Sequence, residues 1–354
     1  MVQAFSPIAV VIAVLSLAGS AIGVWASIRI ARRAGVLDIP NERSSHSTPT
    51  PRVGGVPLVV SAVLCFAAWM LLSGRGILTD KEIAGTILLA SGISILGLLD
   101  DLFDLSPMVR IVVQFALCVC CLWFIWPFFP VVSFIGAPWV RLLLIGAASV
   151  WCTWMLNLYN FMDGIDGLAG GEAAIVSMFF FFLFAWAGNA GWAVANLLIS
   201  ASALGFLMHN WPPAKVFMGD SGSAFLGAFY GMQSLVAPAA TGIPFVVLVL
   251  PFSNFILDTT FTLIRRMLRG EKWYQAHRSH VYQRMTNLGM SHKEVTVFEL
   301  IAVAASCLAA AACMRVAIHV RIFILAIVFI GLAIAGSHFL RKEEGQCTKS
   351  SCSS

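Results

Sequence analysis

Residues 139–188 read WVRLLLIGAASVWCTWMLNLYNFMDGIDGLAGGEAAIVSMFFFFLFAWAG. Two apolar runs, 139–156 and 173–188, come close to the roughly 20 residues with which a helix crosses a bilayer. Between them lies a stretch of different chemistry. From Asn157 to Glu172 there is no Lys or Arg, but there are Asn157, Asn160, Asp163, Asp166, Glu172 and glycines at 164, 167, 170 and 171. This reads as two membrane helices joined by a polar turn that does more than turn.

Working outward, the apolar texture recurs at 7–28, 54–73, 83–99, 109–128, 190–208, 222–238, 243–263, 297–314 and 320–340, which makes about eleven candidate spans. The chain has 354 residues, 59% hydrophobic and only 11% charged, with a mean hydropathy of +0.89. A soluble domain carries about 25% charged residues, so a soluble enzyme or a nucleic-acid-binding protein is excluded. The expectation is an all-α, polytopic integral membrane protein. Residues 1–340 form one transmembrane catalytic domain and 341–354 a polar cytoplasmic tail. Most of the nine cysteines sit in apolar runs, where a free thiol behaves as a small hydrophobe.

Orientation follows from the basic residues. Alternating the loops leaves Arg75, Lys81, Arg141, Arg315 and Arg321 on one side and the rest of the 22 Lys and Arg on the other. The positive-inside rule makes the richer side cytoplasmic, with the N-terminus outside and the C-terminus inside. Of the acids, only Asp80 and Glu82 fall outside. That rule says little about Asp and Glu, so the excess points to a cytoplasmic active site.

Four polar clusters share that side. Asp100, Asp101 and Asp104 follow the third span, with Arg110 nearby. They read as a divalent-metal or general-base site with a phosphate partner, or as a solvated loop. In the 157–172 turn, oxygen ligands without cations suit Mg²⁺ or Mn²⁺, and a helical turn would put Asp163 and Asp166 on one face. Lys215 precedes Gly219-Asp220-Ser221-Gly222-Ser223, either a helix N-cap or a phosphate cradle. His277-Arg278-Ser279-His280 lies in the longest loop, facing anionic lipid or a substrate diphosphate. The 41–55 stretch, containing Arg52, reads as a linker or a lid. Asp258, inside the ninth span, is a functional residue or half of a structural pair.

Asp100-Asp101 after a span, Asn157-Leu-Tyr-Asn160-Phe-Met-Asp163-Gly-Ile-Asp166-Gly-Leu168, Phe217-Met-Gly219-Asp220-Ser-Gly-Ser223 and a late His-containing loop together resemble the polyprenyl-phosphate N-acetylhexosamine-1-phosphate transferase family. This is the glycosyltransferase 4 type, related to the phospho-MurNAc-pentapeptide translocase. The resemblance spans nearly the whole chain. It implies ten or eleven helices in a bacterial inner membrane and a cytoplasmic active site. It also implies Mg²⁺ (with Mn²⁺ as an alternative) and transfer of a sugar 1-phosphate from a UDP-sugar to undecaprenyl or another polyprenyl phosphate, releasing UMP. A homodimer is allowed. By the same resemblance, Asp100 and Asp101 bind or deprotonate the lipid phosphate with Arg110 beside them. Asn160 and Asp220 sit at the metal and diphosphate, and Asp163 lies next to them. Asp166 faces the uracil, and His277, Arg278 and His280 meet the diphosphate and sugar; Lys215 and Arg52 are further candidate substrate contacts from the loops themselves. The late loop departs from the peptidoglycan-initiating pattern, whereas the first loop resembles the O-antigen-initiating members. UDP-GlcNAc, UDP-FucNAc and UDP-QuiNAc are the donors this suggests. A secondary transporter and a CDP-alcohol phosphotransferase are the alternatives.

Overall fold

The computed structural model describes residues 4–40, 48–74, 80–125, 138–271, 278–317, 319–322, 324–332 and 334. These residues are helical and contain no strand; the one β-bridge pairs Asp38 with Thr50. The helices are α1 (Pro7–Ala34), α2 (Gly55–Leu72), α3 (Lys81–Phe103), α4 (Pro107–Ile125), α5 (Pro138–Met162), α6 (Leu168–Trp186), α7 (Ala190–Asn210) and α8 (Gly219–Thr241). They continue with α9 (Phe245–Val249), a 3₁₀ turn (Leu250–Phe252), α10 (Ser253–Leu268), α11 (Val281–Asn287) and α12 (His292–Cys313).

Among the described residues nine helices are long and apolar enough to cross a membrane, with α9 to α10 counted as one. α8 is as long but less apolar, and is buried along almost its whole length. A further apolar helix covers His319–Leu332. The protein is a multi-pass membrane protein. Its apolar excess faces outward: Val10, Val14, Leu71, Leu88, Phe124 and Leu143 are exposed side chains that only lipid would cover.

The helices are cut by recognisable chemistry. Ser6 caps α1, accepting from Ala9 N at 3.2 Å, with Pro7 in the first turn; Gly35 ends it at φ 71°. Ser291 and Glu294 form a reciprocal capping box at α12. Inside the bundle, polar side chains bridge helices in place of a hydrophobic driving force. Ser16 bonds Ser202 (2.7 Å) between α1 and α7, Asn196 bonds Gln233 (2.7 Å) between α7 and α8, and Ser177 bonds Tyr230 (2.7 Å) between α6 and α8.

Several boundaries differ from the sequence reading. α3 runs to Phe103 and α5 to Met162, so Asp100, Asp101, Asn157 and Asn160 stand on the last turns of helices rather than in loops. α6 starts at Leu168 and includes Glu172. Backbone hydrogen bonding does not stop where hydropathy does, and neighbouring helices supply partners to polar groups at the ends. Residues 163–167 form a turn with Gly167 at φ 77°, so no helical turn aligns Asp163 with Asp166. The ninth span is broken at Leu250–Phe252. Phe252 and Phe255 are buried, the first tilted against Tyr230 and the second edge-on to Tyr159, while Phe261 is half-exposed. Residues 335–354, including the polar tail, lie outside the described residues.

Candidate functional site

One end of the bundle gathers the connections after α1, α3, α5, α7 and α10. Residues 51–55 lie alongside 217–218: Phe217 N donates to Pro51 O (2.8 Å), Gly54 N to Phe217 O (2.9 Å) and Gly55 N to Met218 O (2.8 Å). The stretch is therefore neither linker nor free lid where it is described. It is docked, and it delivers Arg52 to the start of α8.

That start is packed backbone to backbone. A Cβ on Gly97 of α3 would lie 2.5 Å from Asp220 O, and one on Gly55 of α2 would lie 2.5 Å from Gly222 Cα. Gly219 adopts φ 74°, which glycine tolerates and which turns the chain into α8. Asp101 fills the N-cap role from another helix: its carboxylate accepts from Asp220 N (3.2 Å) and Ser221 N (3.3 Å). Those N–H groups hold the Asp101 carboxylate here, while the N-cap residue of α8, Met218, supplies no side-chain bond.

Around Asp220 the charges interlock. Arg52 reaches Asp220 Oδ1 at 2.5 Å and Asp101 Oδ1 at 3.4 Å. Arg110 bonds Asp220 Oδ2 at 2.8 Å and also pairs with Asp100. The three carboxylates are almost fully buried, yet Arg52 is half-exposed and Arg110 partly so. Crowding by protein opposes the charge on Arg52, but Asp220, then Asp101, Asp38 and Asp163, more than restore it, and its pKa rises above the ordinary value. Asp163, in the turn before α6, has its pKa pushed well up. Loss of water is the main cause; Arg52 opposes it, and Asp220, Asp101 and Asp166 reinforce it.

A narrow pocket between α3, α4, α5 and α8 is lined by Asp100, Arg110, Gln114, Asn157, Asn160 and Asp220 among others. Asn160 Nδ2 donates to Ser223 Oγ (3.0 Å), which leaves its Oδ1 as an acceptor. No three His, Cys, Asp or Glu side chains among the described residues form a metal cage. The Asp220 carboxylate and the Asn160 amide oxygen on the pocket wall nonetheless suit a hard cation that takes its remaining ligands from water and phosphate, as Mg²⁺ does. Both Asp220 oxygens already accept from arginines, so a cation there would use their second lone pairs.

The remaining residues predicted for the site divide. Asp166 is tied down: Oδ2 accepts from Ala214 N (3.0 Å), Oδ1 lies 3.2 Å from His292 Nδ1, and its backbone O accepts from Thr296 (2.7 Å). Lys215 is exposed in the 211–218 connection. Arg278 is partly buried, with an Nε that has no hydrogen-bond partner among the described residues. His277 lies outside the described residues. His280 is buried, its Nδ1 3.1 Å from Asp258 Oδ1.

Asp258 is the keystone of that loop. Besides His280, it accepts from Val281 N (2.9 Å), Tyr282 N (3.1 Å) and Thr262 Oγ1 (3.1 Å). An intramembrane acid thus holds the start of α11, which resolves its role toward structure. Tyr282 then donates to Phe161 O (2.9 Å) over Gly164, where a Cβ would sit 2.0 Å from the phenol oxygen. The late loop is thereby docked on the Asp163 turn. Gln114 was not anticipated from the sequence; its signal was only the four-residue spacing from Arg110 on α4.

The fold and the site define a multi-pass helical membrane protein with an arginine–carboxylate cluster at one end of the bundle, the furniture of phosphate chemistry. The chain belongs to glycosyl transferase family 4, whose model matches residues 83–237. It is 31% identical to the probable undecaprenyl-phosphate N-acetylglucosaminyl 1-phosphate transferase of Bacillus subtilis, over 86% of this chain and 85% of that one. It is 27% identical to the decaprenyl-phosphate N-acetylglucosaminephosphotransferase of Mycobacterium tuberculosis, over 86% and 82%. It is 26% identical to the undecaprenyl-phosphate alpha-N-acetylglucosaminyl 1-phosphate transferase of Escherichia coli, over 80% and 77%.

Proposed function

We propose that this protein transfers an N-acetylhexosamine 1-phosphate from a UDP-sugar to polyprenyl phosphate, giving a polyprenyl-diphosphate sugar and UMP. The observation that carries the reading is the convergence of Asp100, Arg110, Asn160 and Asp220 on one pocket at a membrane-helix end, with Arg52 paired to Asp220. The names of the relatives favour N-acetylglucosamine as the sugar. The first-loop resemblance favours the start of O-antigen or a related surface polysaccharide. The Lys and Arg excess in the site-end loops supports a cytoplasmic active site in a bacterial inner membrane, with the N-terminus outside.

Both reactants are anionic, so repulsion is the main barrier and neutralising it the main task. An oxygen of the lipid phosphate attacks the sugar-bearing phosphorus; the bond to the UMP oxygen breaks and UMP leaves with the electron pair. Arg110 and Arg52 are poised to exchange their carboxylate partners for phosphate oxygens. Asp100, beside Arg110 in the pocket, suits the role of base when the lipid phosphate is a monoanion. Asp101, held by the α8 backbone, suits a positioning role better. Asp220 and Asn160 are the residues that would hold Mg²⁺, which when bound supplies charge neutralisation at the diphosphate.

The test is UMP release by purified protein given undecaprenyl phosphate, Mg²⁺ and each of UDP-GlcNAc, UDP-FucNAc, UDP-QuiNAc and UDP-MurNAc-pentapeptide. Release that needs the lipid, stops with EDTA and returns with Mg²⁺ is expected for one of the first three donors. Silence across the panel from folded protein would overturn the reading.

A further inference from the structure

We propose that Gln114 is a further substrate contact, a neutral hydrogen-bond donor to the phosphate of the lipid acceptor. The inference rests on the function proposed above and extends the site one helical turn along α4.

The argument begins with a backbone carbonyl. Asn157 Nδ2 donates to Thr153 O at 2.8 Å and to Gln114 Oε1 at 2.9 Å. A carbonyl can only accept, so the Thr153 contact fixes which way the Asn157 amide faces. Both of its N–H groups are then spent, one of them on Gln114. Gln114 must answer with its oxygen, and this turns its NH₂ away from Asn157. That NH₂ has no hydrogen-bond partner among the described residues, and it is not sealed in the core but keeps access to the pocket that Gln114 lines. Gln114 lines the same pocket as Asp100, Arg110 and Asp220.

A donor left open on the wall of a pocket that already holds carboxylates and arginines is free to take a ligand acceptor, and the arginines point to an oxyanion as that partner. The position selects which one. Arg110 is in the first turn of α4, beside the 104–106 connection, and Gln114 is one turn further from that connection. The acceptor arrives from the bilayer, so its phosphate meets Gln114, whereas the nucleotide arrives from water. A neutral donor there orients the phosphate without adding charge to a balance set by Arg52 and Arg110.

The competing role is a buttress: Gln114 merely holds Asn157 through Oε1. Two variants separate the two. Gln114→Glu keeps an oxygen for Asn157 and lacks the NH₂; Gln114→Met lacks both. Full-length protein is assayed in two ways: the rise in melting temperature given by undecaprenyl phosphate without nucleotide, and the KM for each substrate in UMP release. A donor to a charged oxygen is expected to be worth about tenfold to about a hundredfold in lipid affinity. Both variants should lose that factor in lipid KM and in stabilisation, with the UDP-sugar KM unchanged. Wild-type behaviour of Gln114→Glu would establish the buttress and overturn the proposal. So would a wild-type lipid KM in Gln114→Met, or a rise confined to the UDP-sugar KM. If the wild-type protein is not stabilised by undecaprenyl phosphate and releases no UMP, the proposed function falls, and this inference with it. If the wild type responds and the variants respond equally, only the Gln114 assignment falls.

Discussion

Replacing Gly97 by alanine adds one methyl group where α3 crosses the start of α8. That Cβ would lie 2.5 Å from Asp220 O and 2.7 Å from Ser221 N. Both are backbone atoms, so no side chain can swing away. Ordinary contact needs about 3.5 Å, and the two helices must part by about 1 Å. The bonds from Asp101 to Asp220 N and Ser221 N, at 3.2 and 3.3 Å, are already long, and an added ångström ends them. Overpacking costs about 1–3 kcal/mol and the lost cap about 1–2 kcal/mol. On the usual scaling for large domains this lowers the melting temperature by about 5–15 °C. The same shift pulls Asp220 off Arg52 and Arg110, so UMP release should fall at least about tenfold, the value of one good charged contact. The control is Gly92→Ala on the same helix, where a Cβ meets nothing within 4 Å; it should melt and turn over like the wild type. Both variants are scored by melting in detergent and by UMP release. A Gly97→Ala protein indistinguishable from Gly92→Ala would refute the claim that this backbone contact sets the site.

Asp100→Ala and Asp220→Ala should insert normally and lose nearly all UMP release, each removing one of the two carboxylates that hold Arg110; normal turnover by either would remove it from the mechanism. Asp258→Asn replaces an acceptor of four hydrogen bonds by a group that also donates. It should cost about 1–3 kcal/mol of stability and raise the UDP-sugar KM as the late loop loosens, to be read by melting and kinetics together. For Asp163 the folded pKa is raised, so the folded state favours the protonated form. Its contribution is full below the ordinary value of 3.8 and is lost as pH climbs toward the raised one. The melting temperature of Asp163→Asn relative to wild type should therefore grow as pH rises from about 4; a flat difference would show that this carboxyl is not strained by burial.

Much of the site was legible because its residue types are expensive where they stand. Carboxylates at membrane boundaries and a cation-free turn stand out against lipid-soluble helices, so Asp100, Asp101, Asn160, Asp163 and Asp220 could be singled out one by one. Their helix assignments were less legible. Hydropathy measures where a chain prefers oil, not where its backbone stops coiling, and both α3 and α5 carry polar residues past that point. Asp166 shows another limit: the motif marks it as an acid in a rich turn, but does not show that Ala214 N, from a connection 48 residues away, donates to one of its oxygens.

The sequence by itself determined the class of the protein, because bilayer thickness converts apolar run length directly into spans and because a family motif is a local string. What it could not determine was pairing. Arg52 joins Asp220 across 168 residues and Arg110 joins it across 110. Asp101 caps a helix it does not belong to, Asp258 anchors a loop beyond the membrane, and Gln114 turns its amide because of a carbonyl on another helix. Each depends on which helices touch and at what height. In a membrane that is set by the close packing of small residues such as Gly55, Gly97 and Gly222, whose neighbours exist only once the bundle is formed.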